Sequence, residues 1–494
     1  MNKSLKRVSV VVLLMFVALF ASSTYITAFQ ADALRADSRN QRALLASYSA
    51  QRGPILVAGQ AVAESTPVDD QYKFQRTYAQ PDLYAPVTGY YTLGQGSRGV
   101  EDAMNDYLVG KAPSQFFEYV NSLLTGQDPE GATVNLTIDP TVQQAAWDAL
   151  GNQSGSVVAM DPKTGKILAM VSKPSYDPNQ LASHDRDAVL SAYKTLANDP
   201  ADPLQNRAIQ GDLYAPGSTF KLITTAAALE SGDYTPESTF PNPSTLTLPG
   251  TSTNINNAEG GTCGGGETAS IATALRLSCN IPMAQLGEAL GTDALNEQAE
   301  KFGFGKTVDI PQKTTASVFP TTTKDRDGKE VPIDKATLML QSFGQGSDRV
   351  TPLQMAMVSS AIANGGTEMT PTLIDSVLNP DLSPVGDFSS KVFSKPISSS
   401  TASTMTGLMV DDVANGAASN ARISGVDVAG KTGTAENGTG EPYTLWFTGF
   451  APANDPQVAI AVVVENGGGQ GQSAFGNSVA SPIAKKVLEA VLNK

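Results

Sequence analysis

The hydrophobic pattern begins with an apolar segment that is long enough to cross a membrane. The stretch from Val8 to Ala31 contains no formal charge, and its 24 residues would span about 36 Å as a helix, against a hydrocarbon core of ~30 Å. Lys3, Lys6 and Arg7 precede it, which predicts an N-terminus inside the cell and a body outside. The length, without a convincing small-residue cleavage site, favours a retained anchor over the alternative of a cleaved signal peptide.

The next hundred residues are polar and irregular, and regular elements follow them. Short strand-like pieces and a turn at 84–89 are expected up to about residue 128. Apolar, β-rich runs on both sides of a Pro/Gly-containing turn are typical of a hairpin. The pattern therefore predicts, in order, a strand at 134–138, a helix at 141–150, and a hairpin formed by 156–160 and 167–171 around the turn 161–165.

The middle of the chain has mainly helical patterns, and strands return near the end. Helices are expected to dominate from Ser218 to Leu290, with a glycine-rich loop at 260–266. Strands on either side of a helical middle predict an α/β unit whose sheet joins its own ends. The later elements are strands at 426–429, 445–449 and 458–464 and a closing helix at 482–492.

Composition excludes several classes of function. Of 494 residues, 34 are Lys or Arg and 48 are Asp or Glu, so the net charge of −14 argues against binding to nucleic acid. His184 is the single histidine, and a position in a surface loop is expected for it. With only two cysteines besides, a metal site is not expected, and hydrolytic or acyl-transfer chemistry needs a base other than histidine.

The two cysteines are Cys263 and Cys279. An oxidising exterior would allow a disulfide between them, because exported proteins keep such bonds. Two buried free thiols are the alternative that the sequence leaves open.

A lysine can replace histidine as the base if it follows a serine by three residues on a helix. Two segments have this S-x-x-K pattern, Ser191–Lys194 and Ser218–Lys221. Ser218 follows the turn Tyr214–Gly217 and opens an apolar run, so it is expected at a helix N-terminus, where negative charge is favoured. Ser191 lies inside an ordinary polar helix. Ser218 is therefore the candidate nucleophile, and a simple N-cap is the alternative.

An S-x-N tripeptide could relay a proton and hold a substrate amide. It occurs at Ser38, Ser252 and Ser278, so the pattern alone is weak. Only Ser278 and Asn280 are expected between two helices, in a short loop that can project side chains into a cleft.

A K-T-G tripeptide occurs twice, at Lys163–Gly165 and at Lys431–Gly433. The first is predicted to be the turn of the hairpin. The second extends a predicted strand, with small neighbours against which a substrate could lie. Gly425–Thr432 also matches the phosphate-loop pattern, but no helix is expected after it, which disfavours nucleotide binding.

Ser218–Lys221, Ser278–Asn280 and Lys431–Gly433, in this order, resemble the penicillin-recognising serine acyltransferases. The longer matches Tyr214–Lys221, Ala429–Glu436, Pro174–Asn179 and Arg52–Ile55 resemble class B penicillin-binding proteins, in particular the penicillin-binding protein A group of actinobacteria. Leu56-Val57 departs from the acidic and basic residues that usually follow the last of these. The resemblance implies an α/β (α+β) fold, with a helical subdomain beside an antiparallel sheet.

The same resemblance implies a division of the chain and a set of partners. The parts are a cytoplasmic tail at 1–7, a transmembrane anchor at 8–31, a pedestal or dimerisation-like domain at 32–133 and a transpeptidase domain at 134–494. The implied partners are peptidoglycan stem peptides ending in D-Ala-D-Ala, β-lactams, and a membrane glycosyltransferase of the RodA/FtsW type. Neither a cofactor nor a metal is implied.

The implied activity is a D,D-transpeptidase that crosslinks stem peptides. Ser218 would attack the penultimate D-Ala, Lys221 would be the base, Ser278 would relay a proton and Asn280 would bind an amide. In the third motif, Lys431, Thr432 and Thr434 would bind the terminal carboxylate, and Gly433 lies between the two threonines. The backbone N–H groups of Ser218 and Thr434 would form the oxyanion hole.

Lys221 can act as a base only when it is neutral. An ordinary lysine titrates near ~10.4, so lowering its pKa by ~3 requires about 4 kcal/mol, more than the ~0.3–1 kcal/mol of a helix dipole. Burial and a second cation must supply the remainder, and Lys431 is the candidate. The alternatives left open are a D,D-carboxypeptidase, a β-lactamase, and a non-enzymatic β-lactam sensor or assembly scaffold.

Overall fold

The computed structural model of the chain describes residues 3–30, 51–92, 95–115, 130–211, 213–258 and 260–493. Helix α1 (Lys3–Phe29) comes first. Its segment Lys6–Ile26 has a mean hydropathy of 2.2, and none of it is buried against the rest of the protein. This helix covers the expected apolar span, whose last residue, Ala31, lies outside the described residues.

Helices form much of the remaining described chain. The further α-helices are α2 (Pro81–Thr88), α3 (Val100–Ala103), α4 (Asn105–Leu108), α5 (Pro140–Leu150), α6 (Asn179–Ala182), α7 (Arg186–Ala197), α8 (Lys221–Ser231), α9 (Ile271–Arg276), α10 (Asn280–Leu290), α11 (Thr292–Lys301), α12 (Lys335–Gln341), α13 (Pro352–Ala363), α14 (Ser399–Asn415) and α15 (Gly476–Leu492). Short 3₁₀ turns lie at Pro113–Gln115, Gly217–Phe220, Cys263–Gly265, Ser419–Ala421 and Asn466–Gly469.

The strands form two five-stranded sheets and several short ribbons. In chain order they are β1 (Ile55–Val57), β2 (Gln60–Pro67), β3 (Phe74–Tyr78), β4 (Tyr91–Thr92), β5 (Gly96–Ser97), β6 (Thr133–Leu136), β7 (Gly155–Met160), β8 (Ile167–Lys173), β9 (Thr239–Pro241), β10 (Thr245–Thr247), β11 (Asn254–Asn256), β12 (Thr268–Ser270), β13 (Thr322–Lys324), β14 (Glu330–Pro332), β15 (Glu368–Met369), β16 (Ile374–Leu378), β17 (Val392–Ser394), β18 (Ala429–Ala435), β19 (Thr444–Ala451) and β20 (Val458–Val464).

The larger core is built on the antiparallel sheet β18-β19-β20-β7-β8. Every residue of β20 is buried, which explains why its sequence is a continuous apolar run rather than an alternation. Helices α5 and α15 pack on one face and α13 packs on the other. Because β7 and β8 pair beside β20, the sheet joins the two ends of this region, which confirms the prediction.

The predicted hairpin is also confirmed. Strands β7 and β8 pair antiparallel from Gly155 with Lys173 to Met160 with Ile167. Gly165 in the connecting turn has φ +79°, and a Cβ there would collide with the carbonyl oxygen of Thr370. The first K-T-G tripeptide is therefore a turn, as expected.

A second sheet, β16-β6-β1-β2-β3, links the N-terminal region to the remainder of the chain. Strand β6 pairs parallel with β1 and antiparallel with β16. The expected domain boundary between residues 133 and 134 therefore lies inside β6, and a strand from residues 374–378 completes the sheet of the N-terminal region.

Arg52, Arg76 and Glu101 form a buried group that we name the pedestal cluster. Arg52 Nε donates to Glu101 Oε2 at 2.8 Å, and Arg76 Nε donates to Glu101 Oε1 at 2.6 Å. The Tyr78 hydroxyl adds a third hydrogen bond to Glu101 at 3.2 Å. Burial alone would raise the pKa of Glu101, but the charges of Arg76 and Arg52 outweigh it and hold that pKa below its ordinary value.

The predicted strand at 426–429 is wrong. Strand β18 begins at Ala429 and has Lys431–Gly433 in its middle, while Val426 forms only an isolated bridge with Ile423. The reason is that the pairing with β19 begins at Ala429, opposite Phe450, so residues 426–428 lie outside that ladder. The third motif is therefore part of a strand rather than an extension of one.

The prediction that helices dominate from Ser218 to Leu290 is wrong for the segment between Ser231 and Ile271. This segment contains β9 to β12, paired as two ribbons. Side-chain hydrogen bonds connect the strands of one ribbon, from Thr245 to Asn256 and from Thr247 to Asn254, both at 2.8 Å. Polar cross-strand pairs of this kind stabilise strands of three residues, which are too short for their polar-apolar-polar alternation to be recognised in the sequence.

Two further boundaries differ from expectation. The expected turn at 84–89 is mostly helix α2, which begins with Pro81 and contains Pro86, and only Gly89 ends it. The closing helix begins at Gly476 rather than at 482, so that Pro482 lies inside it. The side chain of Ser478 accepts a hydrogen bond from the Phe475 N–H at 3.2 Å, which fixes this earlier start.

Candidate active site

Ser218 lies in the 3₁₀ turn that leads into α8. Gly217 has φ +53°, and its N–H donates to the Gly344 carbonyl at 3.0 Å. A Cβ at Gly217 would come within 2.9 Å of the Thr434 carbonyl oxygen, so the turn packs directly against β18. Ser218 is half-buried and lines a cleft of about 510 Å³.

Lys221 follows Ser218 by one turn, and its side chain is fully buried. Its Nζ donates to the Ser278 carbonyl oxygen at 2.7 Å and to Asn280 Oδ1 at 2.8 Å, and it lies 3.3 Å from Ser278 Oγ. Two carbonyl-type acceptors take both N–H groups of a neutral amine, which leaves its lone pair for the Ser278 hydroxyl. Among the described residues, Ser218 Oγ forms no hydrogen bond, so the direct Ser218–Lys221 hydrogen bond that the spacing allows is not formed.

Ser278 lies between α9 and α10, as the sequence predicts. Its φ of +57° is unusual for a residue other than glycine, and its side chain is nearly buried. Such backbone conformations persist only where the surroundings enforce them. Here the enforcing contacts come from Asn257, whose Oδ1 accepts hydrogen bonds from the N–H groups of Asn280 and Ile281 at 3.0 and 3.1 Å.

A disulfide joins Cys263 to Cys279. Cys279 is fully buried between Ser278 and Asn280, whereas Cys263 belongs to the glycine-rich loop. The bond therefore ties that loop to the S-x-N segment. Of the two alternatives that the sequence leaves open, the structure has the disulfide.

Strand β18 is an edge strand of the main sheet and borders the cleft. Thr432 and Thr434 share one face of the strand and line the cleft, whereas the side chain of Lys431 is fully buried behind it. The Thr432 hydroxyl donates to the Ala417 carbonyl at 3.2 Å, and the Thr434 hydroxyl accepts from the Gly476 N–H at 3.1 Å.

Lys431 forms an ion pair with Asp412 of α14, with 3.2 Å between Nζ and Oδ2 and both side chains fully buried. The other carboxylate oxygen of Asp412 accepts from the Ala418 N–H at 3.0 Å. Burial raises the pKa of Asp412 to about 6, although the Lys431 charge opposes this. We name Lys221, Lys431 and Asp412 the cleft cluster.

Electrostatics favour a neutral Lys221. Burial lowers its pKa well below the ordinary range, the positive charge of Lys431 lowers that pKa further, and Asp412 acts in the opposite direction. The two causes are those that the sequence requires, burial and a second cation.

The remaining candidates do not meet at the cleft. Ser191 and Lys194 are exposed on α7, and Ser252 is exposed in a loop. Ser38 lies outside the described residues. The segment 425–432 of the phosphate-loop pattern leads into the middle of β18 and not into a helix, so it is not a phosphate loop.

His184 lies in a loop between α6 and α7, as expected. Its Nδ1 lies 2.6 Å from Asp70 Oδ2, and its ring packs against Tyr72. Neither His184 nor its two neighbours Asp70 and Tyr72 line the cleft.

Sequence reasoning missed Asp412 and Gln345. Asp412 belongs to no motif, and only the fold brings α14 against the third motif. Gln345 lines the cleft, and its Nε2 lies 3.4 Å from the Thr434 carbonyl oxygen. The signal available in the sequence was the pair of glycines on either side of Gln345. Both Gly344 and Gly346 have positive φ in the structure. In the described part of the chain no cluster of His, Cys, Asp or Glu could hold a metal ion.

Comparison with protein families gives two matches. The penicillin binding protein transpeptidase domain matches residues 155–489, and the penicillin binding protein A dimerisation domain matches residues 52–134. The chain is 43% identical to a relative from Mycolicibacterium smegmatis named peptidoglycan D,D-transpeptidase PbpA, with all of both chains aligned. The protein of the same name from Mycobacterium tuberculosis is also 43% identical, over all of this chain and 99% of that one.

Solved structures agree with these matches. The ceftriaxone acyl-enzyme complex of penicillin-binding protein A from M. tuberculosis superposes with a TM-score of 0.84 at 41% identity, covering 91% of this chain and all of that one. The penicillin G acyl-enzyme complex of the same protein gives 0.82 at 40% identity, covering 90% of this chain and all of that one. The chain therefore belongs to the penicillin-binding protein transpeptidase family.

Proposed function

We propose that this chain is a peptidoglycan D,D-transpeptidase that crosslinks stem peptides through an acyl-enzyme on Ser218 and is inhibited by β-lactams. The observation that carries the proposal is the fully buried Lys221, hydrogen-bonded to Ser278 and Asn280 at the base of a cleft that Ser218 also lines. Relatives of this name at 43% identity and similar structures with β-lactam acyl-enzymes support it.

The first half of the reaction forms the acyl-enzyme. Ser218 Oγ attacks the carbonyl carbon of the penultimate D-Ala, and its proton passes to neutral Lys221, directly or through the Ser278 hydroxyl. The nitrogen of the terminal D-Ala takes a proton and leaves as the free amino acid. The close packing of the Ser218 turn on β18 supports an oxyanion hole made by the N–H groups of Ser218 and Thr434.

The substrate is held along β18. Thr432 and Thr434 place their hydroxyls on the cleft side and would bind the terminal carboxylate, with Gly433 allowing close approach. Buried Lys431 adds a positive field behind them. Asn280 would bind the amide on the acyl side, since its Oδ1 and Nδ2 are oriented by Lys221 and by the Asn256 carbonyl.

Penicillin labelling tests the nucleophile. Intact mass measured after penicillin treatment should show one adduct, and Ser218→Ala should abolish it. Ser191→Ala, in the other S-x-x-K segment, is the matched control and should keep full labelling. Labelling retained in Ser218→Ala would refute the assignment.

Product analysis tests the reaction class. With a stem-peptide donor and an amine acceptor, crosslinked product supports a transpeptidase, and free D-Ala without crosslinks would indicate a carboxypeptidase. Rapid penicillin turnover would indicate a β-lactamase, and an inert acyl-enzyme would indicate a sensor or scaffold.

We also propose the organisation of the chain, in the four parts 1–7, 8–31, 32–133 and 134–494. Helix α1 would be the single membrane anchor, with Lys6 and Arg7 on the cytoplasmic side and the catalytic region outside the cell. Accessibility of a single introduced cysteine before and after α1 to a membrane-impermeant thiol reagent tests this orientation.

A RodA/FtsW-type membrane glycosyltransferase is the proposed partner, reached through the N-terminal region. Its support is the family resemblance and the membrane-proximal position of that region. Co-purification of the full chain with such a protein, lost when residues 51–133 are exchanged for those of an unrelated protein, tests it.

A further inference from the structure

The lining of the cleft is almost free of charge. Of the described residues that line it, Glu436 alone carries a formal charge at neutral pH. The other lining residues are small, apolar, hydroxyl-bearing or amide-bearing. Lys221 and Lys431 lie behind the lining, fully buried. A substrate that enters the cleft therefore meets one exposed charge, and that charge is negative.

Glu436 lies next to the substrate-binding strand. It follows Ala435, the last residue of β18, and is two residues beyond Thr434, a distance of about 7 Å along an extended chain. The side chain is exposed and, among the described residues, forms no ion pair. The neighbouring backbone is held by Asn437, whose Nδ2 donates to the Pro442 carbonyl at 2.7 Å and to Thr444 Oγ1 at 3.0 Å.

The field of Glu436 reaches into the cleft. Burial and the Glu436 charge together raise the pKa of Tyr443, another lining residue. A carboxylate that influences a lining side chain also acts on a charged substrate group in the same space, because a cleft with low-dielectric walls concentrates such fields.

The reaction needs a second substrate that is cationic before it reacts. The acceptor is a primary amine, and an alkyl amine with a pKa near ~10.4 is mostly protonated at neutral pH. We propose that Glu436 is a specificity-determining residue that attracts the cationic acceptor amine to the acyl-enzyme and so favours aminolysis over hydrolysis. This inference rests on the proposed transpeptidase function.

The step that benefits is the second half of the reaction. Once the amine has lost a proton to solvent, its nitrogen attacks the ester carbonyl carbon on Ser218. A C–N amide bond forms, the bond to Ser218 Oγ breaks, and a second amine proton returns to Oγ through Lys221. Glu436 changes the local concentration of the amine and no bond in this sequence.

The same charge acts oppositely on the donor. The terminal carboxylate of the stem peptide, like that of penicillin, would bind at Thr432 and Thr434, close to Glu436, and is weakly repelled by it. Removing the charge of Glu436 should therefore leave acylation unchanged or faster while aminolysis with cationic acceptors declines. A loss of structure would lower both.

The experiment uses the purified full chain in detergent micelles. The donor is a pentapeptide ending in D-Ala-D-Ala whose own amines are acetylated. The acceptors are D-lysine and D-norleucine, which are similar in size and differ by one positive charge. Glu436→Gln is compared with Glu441→Gln, an exposed glutamate in the same loop that does not line the cleft.

In Glu436→Gln, the ratio of D-lysine product to D-norleucine product should decline about two- to fivefold, the range of a solvent-exposed ion pair. The ratio should stay unchanged in Glu441→Gln, and penicillin acylation should be unchanged or faster in both. An unchanged ratio in Glu436→Gln, an equal decline in Glu441→Gln, or an equal decline in acylation would overturn the inference. A wild-type chain that yields free D-Ala and no amide product would instead contradict the proposed function.

Discussion

The pedestal cluster and the cleft cluster contain the same kinds of side chain in different arrangements. Each has two basic side chains and one carboxylate that are buried. In the pedestal cluster, Arg52 and Arg76 both donate to Glu101, and the pKa of Glu101 is lowered. In the cleft cluster, Asp412 pairs with Lys431 only, the pKa of Asp412 is raised to about 6, and that of Lys221 is lowered.

The difference shows that composition does not decide whether a buried cluster is structural or reactive. Glu101 receives three hydrogen bonds from side chains, which compensate for its burial. Lys221 forms no hydrogen bond with a carboxylate among the described residues, and its nearest hydrogen-bond acceptors are uncharged oxygens. Lysine also releases its proton readily when buried, whereas arginine does not. The pedestal cluster is therefore locked in one charge state, and the cleft cluster can exchange a proton.

Placing the cation of the pedestal in the cleft should have the largest effect. Lys221→Arg keeps a long basic side chain, but a guanidinium stays protonated and cannot accept a proton, so penicillin acylation should decline by about 10²–10⁴-fold, the usual contribution of a general base. Fluorescent penicillin labelling measures this, and thermal unfolding verifies that the variant is folded. Lys194→Arg, in the exposed S-x-x-K segment, should have no effect. A Lys221→Arg variant that acylates normally would show that the cleft cluster need not exchange a proton and so does not differ from the pedestal cluster in this respect.

The converse change removes the carboxylate of the pedestal. Glu101→Gln leaves two buried guanidinium groups without their counter-charge, and we expect a loss of about 3–5 kcal/mol in the free energy of unfolding. Denaturant unfolding measures it, with the exposed Glu64→Gln as the control. The acylation rate of the folded fraction should not change. A stability loss as small as that of Glu64→Gln would show that the pedestal cluster does not stabilise the fold.

The two carboxylates should respond to pH with opposite signs. The pKa of Asp412 is raised from 3.8 to about 6, so its contribution to stability is present below about pH 4 and lost as the pH rises through 6. The pKa of Glu101 is lowered, so its contribution is present above its ordinary value of 4.5 and lost as the pH declines through the folded value. From pH 6 to pH 4, the wild type should gain about 2 kcal/mol relative to Asp412→Asn.

Unfolding midpoints of the wild type, Asp412→Asn and Glu101→Gln across this pH range measure both signs. The two differences from the wild type must change in opposite directions on acidification. A change of the same sign in both variants would show that the cleft carboxylate is as well compensated as the one in the pedestal cluster.

The smallest effect is expected for the second cation of the cleft. Lys431→Met removes the charge while keeping most of the volume, so the pKa of Lys221 should rise and a smaller fraction of it should be neutral. Each pKa unit corresponds to a tenfold change, and we expect acylation about tenfold slower. The decline should persist for donors that lack a carboxylate, since it acts through Lys221. A decline limited to carboxylate-bearing donors would assign Lys431 to substrate binding alone.

The sequence predicted the elements whose signals are local. The hairpin of β7 and β8, strand β20 and the loop around Ser278 have strong patterns, namely continuous apolar runs, turn residues and short breaks between helices. The sequence also predicted that burial and the charge of Lys431 must lower the pKa of Lys221, because a helix dipole alone is too weak. In the structure, both lower that pKa.

The sequence could not predict features that depend on distant contacts. Strand β18 begins at Ala429 because β19 pairs along it, and nothing local distinguishes that start. The ribbon of β10 and β11 is stabilised by polar cross-strand pairs, and its strands of three residues are too short to give a recognisable apolar period. In the sequence, Asp412 is an ordinary helix residue, and only the packing of α14 on β18 brings it to Lys431. The absence of a hydrogen bond between Ser218 and Lys221 in the described structure also follows from tertiary contacts to Ser278 and Asn280.

The charge state of Lys221 is the central claim, and the pH dependence of penicillin acylation by the wild-type chain tests it most directly. The second-order rate constant should be near its maximum at neutral pH and should decline on acidification, because Lys221 titrates well below the ordinary lysine value near ~10.4. A rate constant that keeps rising up to about pH 10 would show that Lys221 is a protonated, ordinary lysine and would contradict the account.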